Sequence, residues 1–214
     1  MKRILIVAPH PDDEILGFGG YILSEKQKGS EILVVYGAIG GKDKLQDISV
    51  RKAEVDKVCS TIGIESIVLY EGMDAMLDSV PSVEIISKID SILNDFKPDE
   101  FFFNYPSRHQ DHIKIYECCM ATMRLKEGFM PAFVALYEYP FVLNHYDKID
   151  GGRWYHDISE NIEGKVKAFE MYESQVKKSP SPLNGHGVKT LASVRGLECG
   201  REYAEMFYIQ KMLR

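Results

Sequence analysis

The run Pro9 to Glu14, "PHPDDE", sets one imidazole beside three consecutive carboxyls, and "NYPSRHQDHIKIYE", Asn104 to Glu117, brings in His109, Asp111 and His112. Three adjacent negative charges repel one another, so they are either fully solvated or gathered round something positive. A few imidazole nitrogens with carboxylate oxygens and an open position make the donor set of a catalytic zinc site, whereas Mg²⁺ prefers an all-oxygen shell and leaves histidines idle. His109 and His112, three apart, share one face of a helical first turn. The bland reading of "PDDE" is a helix start, with proline at the first helical position and acids complementing the dipole. It leaves His10 unexplained.

These residues need elements to position them. Short, continuous apolar runs recur, "ILIVA", "EILVVYGA", "SIVLY", "EFFFNY" and "AFVALYEY", and unbroken apolar strands imply burial on both faces, as in a parallel sheet. Helical periodicity fills the gaps: Ile15, Phe18 and Ile22 lie on one stripe that stops at Gly29; Val55, Val58, Cys59 and Ile62 on another that stops at Gly63; Ile85, Ile86, Ile89, Leu93 and Phe96 on a third closed by Pro98. The expected fold is α/β: a doubly wound, mostly parallel, Rossmann-like sheet flanked by helices, with a less regular C-terminal third. In that third "ISENIEGKVKAFEMYESQ" predicts a helix, "KKSPSPLNGHG" a loop, and "VKTLASVRGLECGREYAEMFYIQ" a helix and a terminal strand. Both polar clusters directly follow strands, the first and the fourth, which commonly adjoin at the switch point where such sheets bind ligands. Residues 1–214 are expected to form a single domain.

Composition narrows the partners. With 45% apolar residues and a net charge of −6, acids and bases interleaved, the chain has no basic stripe to follow a phosphate backbone, which excludes nucleic acid and favours a small molecule. The apolar run in "MKRILIVAP" stops at Pro9, too short for a membrane span. Cys59, Cys118, Cys119 and Cys199 show no ligand spacing, as expected of free thiols in the cytoplasm. Self-association, a homo-oligomer included, stays open.

"PHPDDE" after the first strand, followed about a hundred residues later by "HQDH", resembles the zinc-dependent de-N-acetylases of the LmbE/PIG-L type. "RKAE" at Arg51 to Glu54, "KVKAFEMYESQ" and "RGLECGREYAEMF" extend the resemblance over nearly the whole chain. It implies a hydrolase that removes acetyl from an N-acetylglucosamine-type amino sugar or glycoside, with Zn²⁺ held by His10, Asp13 and His112. It also implies Asp12 as general base and His109, oriented and kept cationic by Asp111, as the group facing the developing oxyanion; either Asp12 or His109 could protonate the leaving amine. Two positions depart from the family pattern: Ser107 stands where some members carry tyrosine, and Tyr172 where many have histidine, which bears on the sugar pocket. Arg51 reads equally as a substrate ligand or as the partner of Glu54. Trp154 and Tyr105 could stack on a sugar or fill a core. Specificity is expected in the loops Gly37 to Ile48 and Ser179 to Val188.

Two other functions fit parts of the chain. A Mg²⁺-dependent phosphohydrolase would use the paired aspartates but not "HQDH". A non-catalytic nucleotide- or sugar-binding module is suggested by "GFGG", although a dinucleotide fingerprint needs its glycines in the turn before the helix.

Overall fold

Ile4 to Ala8 have no exposed surface, as an unbroken apolar strand requires. The computed structural model describes residues 1–41, 45–124, 127–140 and 152–213, with backbone alone at 45–47. Its elements run β1 (Arg3–Ala8), α1 (Asp13–Gln27), β2 (Glu31–Ile39), α2 (Leu45–Ile62), β3 (Glu65–Glu71), α3 (Ser82–Phe96), β4 (Glu100–Asn104), α4 (Gln110–Thr122), β5 (Phe133–Tyr137), β6 (Gly152–Asp157), α5 (Ile162–Glu170), α6 (Gly185–Cys199) and β7 (Ala204–Met212). The strands form one sheet in the order β3-β2-β1-β4-β5-β7-β6. β1, β2, β3, β4 and β5 pair in parallel, and β7 runs antiparallel to β5 and β6. This is the α/β, mostly parallel sheet expected, and β1 and β4 are neighbours, Ile4 opposite Glu100.

Alternation along the strands feeds two cores. Ile4, Ile6, Phe102 and Phe207 pack with Phe18 and Ile22 on one side of the sheet, while Leu5, Val7, Phe101 and Phe103 pack with Ile85, Ile89, Leu93 and Ile115 on the other. The helix stops fall where turn residues demand them. Gly29 and Gly63 take φ of 81° and 78°, and Lys97 caps α3 at φ 49° just before Pro98.

Several expectations change in detail. β2 continues through Gly37 to Ile39, so the loop after it starts at Gly40; residues 42–44 of the expected specificity loop lie outside the described residues. α5 ends at Glu170, leaving "MYESQ" as turns rather than helix. The "GFGG" glycines sit inside α1 and serve close packing: a Cβ on Gly17 would stand 2.3 Å from the Glu138 carbonyl oxygen, and one on Gly20 would stand 2.4 Å from the Ile158 side chain. They are not a phosphate-binding turn. Trp154 packs on Phe207, Tyr21 and Phe133, and Tyr105, buried, on Tyr208, so both are core aromatics rather than sugar platforms. No helix among the described residues is long and apolar enough to cross a membrane.

Candidate metal centre

His10, Asp12 and Asp13 leave the carboxyl end of β1, while His109, Asp111 and His112 stand between β4 and the first turn of α4. Because those strands are adjacent, the three imidazoles meet, with ring centroids 5.1 to 5.5 Å apart. The Asp13 Oδ2 oxygen lies 3.3 Å from His112 Nε2 and 3.7 Å from His10 Nδ1. Donors at zinc bond lengths round a tetrahedral ion stand about 3.4 Å apart, so this trio has the spacing of a ligand set. His10, Asp13 and His112 are one of two metal-ligand groupings among the described residues; the other is His10, His109 and Asp111.

The buried groups of this cluster differ in their affinity for protons. Burial disfavours charge on His10, yet its hydrogen bonds to Asp111 and Asp13 prevail and raise it to about 10. Burial lowers His112 to about 4 and leaves it neutral, the form that ligates, and its buried Nδ1 has no hydrogen-bond partner among the described residues. Burial opposes ionisation of Asp13, but His112 and His10 hold it below the usual carboxylate range. Asp12 behaves in the opposite way: burial and the Asp13 charge push it well above that range. A carboxyl of raised proton affinity thus adjoins one kept ionised.

The start of α1 is not the ordinary helix start that "PDDE" allows. The helix opens at Asp13, Pro11 lies outside it, and Asp12 occupies the cap position with φ 110° and no side-chain capping bond. Its carboxylate spends nothing on the helix.

Asp111 departs from the arrangement expected. Its Oδ2 lies 2.8 Å from His10 Nε2 and accepts from Ala75 N at 2.7 Å, while Oδ1 accepts from Leu77 N at 2.9 Å. The carboxylate therefore orients His10 and the 75–77 segment, not His109, which caps α4 with Nδ1 accepting from the Asp111 N–H. With Nδ1 accepting that N–H, His109 can donate only through Nε2, and burial and the His10 charge lower its pKa, a direction opposite to the cationic form expected.

Arg51 is buried, donating to Glu54 Oε2 at 2.9 Å, to Ser174 Oγ at 3.4 Å and to the Pro11 carbonyl, with Nη2 4.0 Å from Asp12 Oδ2. The Glu54 pairing is present, and Arg51 also lines a cavity of about 360 Å³ with Gly40, Gly41, Asp74, Ser174 and Lys177. Ser107, also buried, accepts from His109 N at 3.2 Å. Tyr172 is wholly buried behind the site, its hydroxyl 2.6 Å from Glu14 Oε1, so the departure from histidine changes a supporting bond rather than the pocket wall.

Sequence reasoning missed three neighbours. Asp74 Oδ1 lies 3.2 Å from His10 Nε2, Tyr139 sets its ring edge-on to His112 at 4.7 Å, and buried Asn104 donates to the His112 carbonyl at 3.0 Å. Asp74 and Tyr139 follow the carboxyl ends of β3 and β5 and Asn104 ends β4, where an open parallel sheet places its ligands, and that position was the available signal.

Similarity to known proteins agrees with the geometry. A probable N-acetyl-alpha-D-glucosaminyl L-malate deacetylase 2 of Bacillus cereus is 26% identical over 192 residues, covering 82% of this chain and 84% of that protein. A 1D-myo-inositol 2-acetamido-2-deoxy-alpha-D-glucopyranoside deacetylase of a Mycobacterium species is 23% identical, covering 85% and 76%. In structure, the N,N'-diacetylchitobiose deacetylase of Pyrococcus horikoshii superposes with a TM-score of 0.78 at 22% identity, covering 98% of this chain and 84% of that one, a likeness of fold. Residues 5–123, more than half of the chain and inclusive of both histidine clusters, match the family of GlcNAc-PI de-N-acetylases, PIG-L, and the chain belongs to that family.

Proposed function

We propose that this enzyme hydrolyses the acetamido group of an N-acetylglucosamine-type amino sugar or glycoside, with Zn²⁺ held by His10, Asp13 and His112. The observation that carries the reading is the meeting of those three donors beside a buried aspartate, Asp12, that belongs to neither donor grouping and makes no capping bond. When bound, the ion would supply Lewis acidity and lower the pKa of a water from 15.7 towards roughly 7.

The chain's own groups divide the remaining work. Asp12, its proton affinity raised by burial, takes a proton as the amide carbon is attacked and returns it to the leaving amine. His109, its Nδ1 held by the Asp111 N–H, presents Nε2–H to the oxygen on which charge develops. Asp111 fixes the tautomer and direction of the His10 ring, as carboxylates behind metal-bound histidines do. The sugar occupies the 360 Å³ cavity, where Asp74 and Lys177 offer polar contacts and Gly40 and Gly41 allow close approach. Residues 1–214 act as one deacetylase domain, and buried free Cys59, Cys118 and Cys119 suit a reducing compartment such as the cytoplasm.

The relatives' named substrates, glucosaminides of L-malate and of myo-inositol and diacetylchitobiose, define the panel to test. Zinc-loaded protein is expected to release acetate from at least one of them and to hold one zinc per chain. Acetate from none of the panel would refute the substrate class, and failure to retain zinc would refute the ligand assignment.

A further inference from the structure

Asp12 is one of three non-glycine residues with positive φ among those described, at φ 110° and ψ −31°. An L residue holds such a conformation only where its surroundings over-determine it. The peptide group joining Pro11 to Asp12 is gripped at both of its polar atoms. Its carbonyl accepts from Arg51 Nη2, and its N–H donates to Glu14 Oε2 at 3.0 Å. Each grip is itself anchored. The other Glu14 oxygen accepts the Tyr172 hydroxyl at 2.6 Å, and that hydroxyl stands 3.1 Å from the Tyr36 hydroxyl, all three side chains having no exposed surface. Arg51 rests on Glu54, whose carboxylate takes the Ser174 N–H at 2.7 Å and hydroxyl at 2.9 Å, and its guanidinium carbon lies 5.4 Å from the centre of the Tyr172 ring. Released from either side, this peptide could rotate and swing the Asp12 carboxylate away from the His10, Asp13 and His112 trio.

We propose that Glu14, set by Tyr172, is a positioning residue that holds the Pro11–Asp12 peptide in its strained orientation and so aims the Asp12 carboxylate. Glu14 touches no reacting atom; it acts through Asp12, and the proposal rests on the reading of Asp12 as the base. Displacement of a reacting group by about 1 Å costs on the order of 10²-fold in rate, which sets the effect to look for.

The test combines a crystal structure of Glu14→Ala with the kinetics of acetate release from N-acetyl-α-D-glucosaminyl L-malate. Glu14→Ala is expected to keep its zinc, to show Asp12 relaxed to negative φ, and to lose roughly 10²-fold in kcat with little change in KM. Glu14→Gln, which retains an acceptor for the Asp12 N–H, restores most of that loss. In an Asp12→Asn background Glu14→Ala has no further effect, because the group it aims is gone. An unchanged Asp12 backbone in Glu14→Ala, or losses that multiply in the double variant, overturns the proposal. Should Glu14→Ala not fold, Tyr172→Phe carries the same two readouts with a loss of about tenfold. Full turnover of Asp12→Asn would instead refute the base assignment, and the crystal structure alone would then decide whether Glu14 holds the peptide, as it would if this glycoside were not hydrolysed.

Discussion

Two adjacent aspartates at the head of α1 are separated chemically by what faces them. Asp13 is kept ionised by two imidazoles, and Asp12, buried beside that charge, gains proton affinity. Substituting them should therefore produce different defects. Asp12→Asn is expected to hold zinc normally while turnover falls at least 10²-fold, whereas His112→Ala loses the metal, as elemental analysis and acetate release together would reveal. Asp111→Asn should weaken zinc binding by 10- to 100-fold in chelator competition, because the carboxylate supports His10; unaltered affinity would show that the contact is incidental. Which residues converge was legible in the sequence, since both clusters follow strands that adjoin. Which ring Asp111 serves was not, because a position two residues after His109 does not reveal that its carboxylate reaches across to β1.

Among the elements, α1 carries the heaviest constraints. It packs so closely on β5 that Gly17 has no room for a methyl group, and Glu205 of β7 accepts from its Gly20 and Tyr21 N–H groups while pairing with Lys165 of α5 at 2.7 Å. Gly17→Ala, opposed by backbone that cannot yield, should cost on the order of 1–3 kcal/mol in urea unfolding. Glu14, in the first turn, is pushed by burial from 4.5 to about 7. A carboxyl whose pKa is higher folded than unfolded contributes stability below its unfolded pKa and loses it as pH rises through the folded value. Metal-free protein should accordingly lose on the order of 3 kcal/mol between pH 4.5 and 8 from this group. Glu14→Gln should flatten that slope, and an identical slope in the two proteins would exclude Glu14 as its source. The parallel strands were readable because burial on both faces leaves unbroken apolar runs. β6, "GRWYHD", was not, since a half-exposed edge strand needs few apolar residues and shares its composition with a loop.

At the scale of the whole molecule, metal binding at the proposed site is expected to be linked to folding. An ion that binds only the folded chain adds roughly 2.7 kcal/mol at a hundredfold excess over its Kd, which for a chain of this size raises Tm by roughly 5–10 °C. Calorimetry with and without zinc should show that rise in the wild type and its absence in His112→Ala. The order of the sheet bears on how the chain is made. β7 follows β6 along the chain yet lies between β6 and β5. As the polypeptide leaves the ribosome, β6 appears with no neighbour to join, and the flank of β5 stays uncovered until β7 is translated and slots between them. Nascent protein stalled before Ala204 would thus expose a sticky strand border, making the interval between synthesis of β5 and of β7 the one in which holding chaperones matter most.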